Sequence, residues 1–291
     1  MWTNATWARN RTQIAVAAWV TAATVAAQPP ASIDEVLARV GERVAAYYNR
    51  AQRIICQEKV TLQPVGSDLA FDGFGRVLEY ELRVEWDRNA DGDGSAEPRV
   101  LRELRKVNGR MPRPKDEPGC TDPKPVSPEP LGFLLPARRS ENAFTLAGLV
   151  RLKNQPAIAI DFKSLEKGTP EMSRQGDCLS FSIPGRIKGR VWIDPETYDV
   201  LRVEHHLTGR VDYRVPNKLR RFGEPDEMVV ERYDMSIRYR RITFHDPEEE
   251  LLVPERIDSL VVFRGAQSHR TSQMFSDFRR FTTAGRLVRE H

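Results

Sequence analysis

Gly189-Arg190-Val191-Trp192-Ile193-Asp194-Pro195-Glu196-Thr197-Tyr198-Asp199-Val200-Leu201-Arg202-Val203-Glu204 is the stretch on which the fold turns. Its first five residues include the β-branched and aromatic types that suit a pleated, half-buried strand. Asp followed by Pro suits the first two places of a type I turn, where the Asp side chain accepts backbone N–H groups and the Pro ring fixes φ. The return segment places Leu201, Val203 and Leu207 on one face and Arg202, Glu204 and His206 on the other. That alternation marks a strand with one buried and one wet face. A lone hairpin is marginal in water, so this one implies a larger sheet.

The same period recurs outward from the hairpin. Leu78, Tyr80, Leu82, Val84 and Trp86 alternate with Glu79, Glu81, Arg83 and Glu85. Tyr233, Met235, Ile237 and Tyr239 alternate likewise, but the apolar set then moves to Ile242 and Phe244. One inserted residue near Arg240-Arg241, a β-bulge, would produce that shift. Phe144, Leu146, Val150 and Leu152, followed by Ile158, Ile160 and Phe162, predict a hairpin about Asn154-Gln155-Pro156. Two further long strands are expected near 252–264 and 269–281. Residues 109–130 carry seven prolines and read as a surface excursion, with a short helix near Pro130–Leu135, because Pro cannot donate to a central ladder.

The period changes only at the start of the chain. Ser32 followed by Glu35 has the form of a capping box, and Ile33, Val36, Leu37, Val40, Val44 and Tyr47 or Tyr48 recur at helical spacing. One amphipathic helix over about 33–50 follows. Nine or ten antiparallel strands in one sheet favour curling, and the helix has an apolar face to bury. The expectation is a mainly β (α+β) domain over 28–291: a single curved antiparallel sheet forming an unclosed half-barrel, capped by the N-terminal helix and loop segments.

Before that domain, Arg9 and Arg11 precede an uncharged run rich in Ala and Val, closing on Val25-Ala26-Ala27 ahead of Gln28-Pro29-Pro30. A positive start, an apolar middle too short to span a bilayer and small residues at −3 and −1 make residues 1–27 a secretory signal peptide, removed near Ala27. A periplasmic or secreted mature protein is expected, and a monomer. The 45 Lys+Arg against 41 Asp+Glu give a net charge of only +4. That is too little for a backbone-driven nucleic-acid binder, so no nucleic acid is expected among its partners. Export permits a disulfide. Three cysteines allow one bridge, whose connectivity sequence alone does not fix. Cys120–Cys178 is favoured, because Cys56 falls on the apolar face of a strand with Ile54, Val60 and Leu62.

Chemical motifs are sparse. Asp87-Arg88-Asn89-Ala90-Asp91-Gly92-Asp93 copies the first half of a calcium loop, with Asp87, Asn89 and Asp91 at positions 1, 3 and 5 and Gly92 at 6. Position 12 is Pro98, the acid standing one place early at Glu97, so Asp87, Asn89, Asp91 and Asp93 form a weak calcium candidate; no other cofactor is indicated. His205 and His206 point to opposite strand faces and cannot chelate together, which leaves His205 as a core or cleft histidine. His245-Asp246 with Glu248-Glu249-Glu250 reads as a solvated acidic turn. Arg238, Arg240, Arg241, Arg279 and Arg280 could meet anionic head groups or a protein, so peripheral membrane contact is open. No nucleophile elbow, phosphate loop, dinucleotide fingerprint or zincin motif occurs. The aromatics Trp86, Phe144, Phe162, Phe244, Phe263, Phe275 and Phe278 are expected in the core, some lining a cleft.

Signal peptide, leading helix, antiparallel meander and the hairpin Gly189–Thr197 together resemble the outer-membrane lipoprotein-sorting (LolA-like) superfamily, which carries a W-x-D-P-x-T strand–turn followed by a strand such as Val200-Leu201-Arg202-Val203-Glu204. The order of elements agrees over about 33–282, and the sharp match is confined to 187–204. The resemblance implies an unclosed barrel with a helix-capped hydrophobic mouth, no enzymatic activity, and binding of lipoprotein acyl chains or other hydrophobic ligands in the periplasm. Related members sense the envelope by binding a partner protein. The chain departs from the carriers in its length, its Pro-rich excursion and its Asp-Gly loop. Three functions are therefore weighed: carriage of a hydrophobic ligand, an interaction module whose groove is filled by its own side chains, and a hydrolase built on scattered Asp, Glu and His.

Overall fold

The computed structural model describes residues 32–50, 54–87, 97–114, 116, 129–175, 178–217, 220, 226–245, 248–281 and 287–289. The expected signal peptide 1–27, the candidate calcium ligands Asn89, Asp91 and Asp93, and Cys120 lie outside them. So do the side chains of Asp87, Trp86 and Cys178, leaving both the calcium loop and the Cys120–Cys178 pairing as expectations.

Helix α1 spans Ile33–Arg50. The Glu35 backbone N–H donates to Ser32 Oγ (3.2 Å), the first arm of the capping box. The Glu35 carboxylate does not return the bond; it accepts from Arg39, one turn on, at 2.6 Å. Strands follow: β1 (Ile54–Val65), β2 (Arg76–Asp87), β3 (Glu97–Val107), β4 (Asn142–Leu152), β5 (Gln155–Ser164), β6 (Glu171–Gln175) and β7 (Cys178–Ser182). Then come β8 (Ile187–Ile193), β9 (Val200–Leu207), β10 (Val211–Arg214), β11 (Glu227–His245), β12 (Glu248–Arg264), β13 (Ser268–Phe281) and β14 (Leu287–Arg289). Two 3₁₀ turns, Glu129–Leu134 and Pro136–Glu141, sit between β3 and β4. The first is the short helix expected after the prolines. Among the described residues no helix is long and apolar enough to cross a membrane.

Twelve strands form one antiparallel sheet in the order β3-β2-β1-β13-β12-β11-β9-β8-β5-β4, with β10 on β11 and β14 on β13; β6 and β7 pair separately. The two ends of the path, β3 and β4, do not pair, so the sheet is not closed into a barrel. Laid flat, nine spacings of about 4.8 Å would hold those ends roughly 43 Å apart. Instead one apolar cluster joins Leu82 of β2 to Phe162 of β5, with α1 residues packed in it. The sheet is bent around its inner face, and α1 lies on that side.

Local register differs from expectation in three places. The β11–β12 pair carries two register shifts: Glu231 of β11 is the extra residue between Val230–Phe263 and Arg232–Val262, and Glu255 of β12 is the extra residue between Arg238–Arg256 and Tyr239–Pro254. The insertion expected at Arg240-Arg241 is not there: the register runs unbroken from Tyr239–Pro254 to Ile242–Leu251. In β9, Ile193 pairs Val200 and Trp192 pairs Arg202, so Leu201 is the bulged residue and Val200 takes the core position assigned to it. The β4–β5 turn is Lys153-Asn154, both at positive φ (47° and 71°), while Gln155 and Pro156 belong to β5. Positive φ at both central residues is the geometry whose twist matches a two-residue hairpin.

Candidate functional site

The inner face divides into a large cluster under the helix and two smaller ones. Val36, Leu37, Val40, Val44 and Tyr47 of α1, with Leu131 and Leu134 of the first 3₁₀ turn, pack on Ile160, Phe162, Val191, Ile193, Val203, Ile237, Phe244, Leu251, Ile257, Phe275 and Phe278. Each such side chain contributes about 1.5–3 kcal/mol on leaving water. The residues expected in a cleft are thereby placed. Phe162, Phe244, Phe275 and Phe278 are buried under the roof, and Phe144 packs half-buried against its edge, 6.3 Å from Phe133. Phe263 belongs to a separate cluster with Leu207, Val211, Tyr213 and Val230, its ring tilted against Phe181 at 5.5 Å. Cys56 is buried on the inner face, as its strand position implied.

The roof is fastened to the sheet by a few polar ties. Arg139, in the second 3₁₀ turn, donates from Nη2 to the Leu37 carbonyl of α1 and from Nε to the Leu134 carbonyl (3.2 Å), stitching three segments together. Gly41 of α1 faces this guanidinium, and a Cβ there would run into it. At the other edge the Asp194–Asp199 turn anchors the helix. Arg39 Nη1 donates to Tyr198 Oη (3.0 Å), and Arg43 Nε donates to Asp199 Oδ1 (2.9 Å). Arg241 Nη2 takes the other Asp199 oxygen at 2.5 Å. Asp194 Oδ1 accepts from the Glu196 and Thr197 backbone N–H groups, at 2.9 and 3.0 Å. Partial burial pushes the Asp194 carboxyl up, but those donors and nearby Arg241 hold it below its ordinary value. The turn read from sequence is thus the seat of the helix. Arg139 carried no sequence signal, because its partners are backbone carbonyls far along the chain.

Between the α1 C-terminal half and the sheet lies a cleft of about 170 Å³, floored by Val44, Tyr47, Leu131, Val200 and Leu251 and rimmed by Arg43, Arg50 and Arg241. Deeper in, three tyrosines meet. Tyr47 and Tyr48 stand 5.8 Å apart, and the buried Tyr239 hydroxyl makes no hydrogen bond among the described residues. Burial raises the Tyr47 and Tyr239 phenols above their ordinary range.

The outer face carries two open grooves of about 670 and 640 Å³ that share Glu204 and His206. Their acids are matched by arginines: Arg190 makes a double contact with Asp161 (2.6 and 2.9 Å), which holds that carboxyl below its ordinary value. The arginines singled out earlier are also matched. Arg238 lies 3.7 Å from Asp258, Arg279 3.3 Å from Glu81, Arg280 pairs with Glu249, and Arg240 stacks over Phe278. His205 is on the inner face, 5.6 Å from the Tyr233 ring, while His206 is exposed on the other. Among the described residues no three His, Cys, Asp or Glu side chains are placed to hold a metal.

Solved structures of the lipoprotein-sorting superfamily resemble this chain. An outer membrane lipoprotein-sorting protein domain from Vibrio parahaemolyticus is 10% identical, with a TM-score of 0.39, over 84% of this chain and 92% of that one. A LolA superfamily protein from Nitrosomonas europaea is 10% identical (TM-score 0.33) over 83% and 94% of the two chains. A DUF1329 family protein from Desulfovibrio piger is 11% identical (TM-score 0.34) over 85% and 94%. No family model matches the sequence, and no curated protein matches it.

Proposed function

We propose that this chain is a non-enzymatic periplasmic binder of a hydrophobic ligand, the acyl chain of a lipid or lipoprotein, taken up between α1 and the inner face of the sheet. The observation that carries the reading is a continuous apolar face beneath a separate roof, secured at its edges by Arg139, Arg39 and Arg43. A roof so tied can lift without breaking the sheet ladder, and each methylene then covered contributes about 0.8 kcal/mol. The 170 Å³ cleft is below the roughly 300–1,000 Å³ of ordinary ligand sites, so uptake requires that movement. The Arg-rimmed mouth gives an anionic or ester head group donors at the water boundary.

The filled interior favours one further reading, an envelope-sensing module that binds a partner protein while its groove stays occupied by its own side chains. Lipid extraction from natively purified protein, followed by mass spectrometry, separates the two. Acyl species in near-stoichiometric amount, displaced by a fluorescent fatty acid, support carriage. Repeated recovery of none, with no uptake of the probe, sinks it.

A further inference from the structure

The cluster under the roof is built mostly of Val, Ile, Leu and Phe, and phenols intrude on it. Tyr47 of α1 and Tyr239 of β11 are each 8% exposed and share the cluster with Phe162, Phe244, Phe275 and Phe278, while Tyr48 packs against it. Those four phenylalanines show that a bare ring fills such a space. The Tyr239 hydroxyl nevertheless stands there, buried and with no partner among the described residues. A buried hydroxyl left so lowers stability, and Phe in its place would lift the penalty. Tyr213, in the cluster around Phe263, takes the ordinary course: its hydroxyl donates to the Ser182 carbonyl at 2.9 Å.

Tyr47 connects this group to the cleft of about 170 Å³, whose wall it shares with Arg43 and Arg50 of the same helix. Tyr47 and Tyr48 are near enough to Tyr239 for their phenols to act on it. Burial first, and then those two neighbours, hold the Tyr239 phenol well above its ordinary range, so it presents an O–H donor and carries no charge.

We infer that Tyr239 donates to the carbonyl of an acyl group, in an ester or a carboxylic acid, whose hydrocarbon chain lies along the inner face. This rests on the hydrophobic-ligand reading above and adds to it a polar contact by which the interior tells an acylated molecule from a bare hydrocarbon. A carbonyl is what a lone buried phenol fits: it offers lone pairs to one donor, and as a neutral group it is far cheaper to desolvate than an ion. A phosphate or a sugar needs several donors and acceptors at once, and those stand in the arginine rim, not among the tyrosines. The cost of the unpaired hydroxyl in the empty protein is recovered when the ligand arrives.

Y239F in the delipidated protein tests this by two readouts. Without ligand, Y239F raises the thermal midpoint by about 2–4 °C, whereas Y213F, which loses a bond to Ser182, lowers it. Binding is read by displacement of diphenylhexatriene, a pure hydrocarbon probe, with palmitic acid, methyl palmitate and hexadecane. Y239F weakens the carbonyl ligands by roughly tenfold and leaves hexadecane and the probe itself unchanged. A loss for methyl palmitate alone assigns an ester, and a loss for palmitic acid alone assigns an acid. Y213F binds all three as the wild type does. A midpoint that falls in Y239F means that the hydroxyl is already bonded, by water or by the chain, and overturns the inference. Wild type that takes up the probe, with carbonyl ligands held equally by Y239F, overturns it and leaves the container reading standing. Wild type that takes up no probe at all removes both.

Discussion

Glu58 of β1 and Arg102 of β3 form a two-armed ion pair on the inner face, with Nε to Oε2 and Nη2 to Oε1 both at 2.8 Å. Arg102 reaches its partner across β2, passing 3.8 Å over the centre of the Tyr80 ring. Gln273 of β13 donates to the same carboxylate at 2.9 Å. Glu58 is 1% exposed, so the network pins the register of four adjacent strands where Val60, Leu62 and Leu78 would otherwise allow slippage.

Removing one partner strands a buried charge, which costs about 3–5 kcal/mol, whereas replacing both by apolar groups of similar volume is close to neutral. R102M is therefore expected to be strongly destabilised. The double variant E58M/R102M should recover most of that loss. Urea midpoints of wild type, single and double variants decide it; a double variant as unstable as the single rules out uncompensated charge as the cause.

This pair marks the limit of what the sequence discloses. Periodicity put Glu58 among Ile54, Cys56, Val60 and Leu62 on a buried face, yet gave no means of finding Arg102, 44 residues away. The helix, the long strands and the Asp194–Thr197 turn were legible because their causes are local: spacing, side-chain alternation, Pro and Asp chemistry. Arg139, the Glu255 bulge and the Lys153-Asn154 turn were not. Each depends on which backbone lies opposite, and that is settled only when the sheet assembles.

Arg139 and Gly41 provide two routes to the same tie. Ala for Gly in an isolated helix is favourable by about 1 kcal/mol. Here G41A should instead destabilise, since its Cβ must displace the Arg139 guanidinium and sits 3.2 Å from the Leu134 carbonyl. R139M removes the donors to Leu37 and Leu134 at a cost of about 1–3 kcal/mol. Because both changes strike one contact, their effects should fall well short of additive. Hydrogen exchange should quicken in α1 and leave β8 and β9 protected; uniform acceleration would mean that Arg139 holds the whole domain and not the roof.

His205 sets a pH dependence with a definite sign. Burial, and next the neighbouring His206, push its pKa down from 6.5 to about 4, against the smaller pull of Asp234. Burial lowers His269 in the same direction. Below about pH 6.5 the unfolded chain takes up a proton that the folded one refuses, so stability is full above that value. It should fall as the pH drops towards 4, by at most about 3 kcal/mol from His205. Denaturation midpoints of wild type and H205Q between pH 7.5 and 4.5 test this, with a flatter profile expected for the variant. An unchanged slope would assign the acid sensitivity to other groups.

Gly189 stands in the hairpin motif for a reason of space rather than flexibility. It pairs with His205 in the β8–β9 ladder, and a Cβ on it would overlap the Glu204 carbonyl and the His205 Cα, both backbone atoms. Rotamer changes cannot relieve a backbone collision, so G189A must spread β8 from β9. Overpacking of this kind costs about 1–3 kcal/mol. The damage should travel further than the strands themselves. Asp199 and Tyr198, which seat Arg43 and Arg39 of α1, hang from the same hairpin. G189A is therefore expected to lower the thermal midpoint and also to raise exchange in α1, two readouts that a change confined to β8 would not couple. A variant with wild-type stability and a protected helix would show that the sheet yields at this point, and that the turn does not govern the roof.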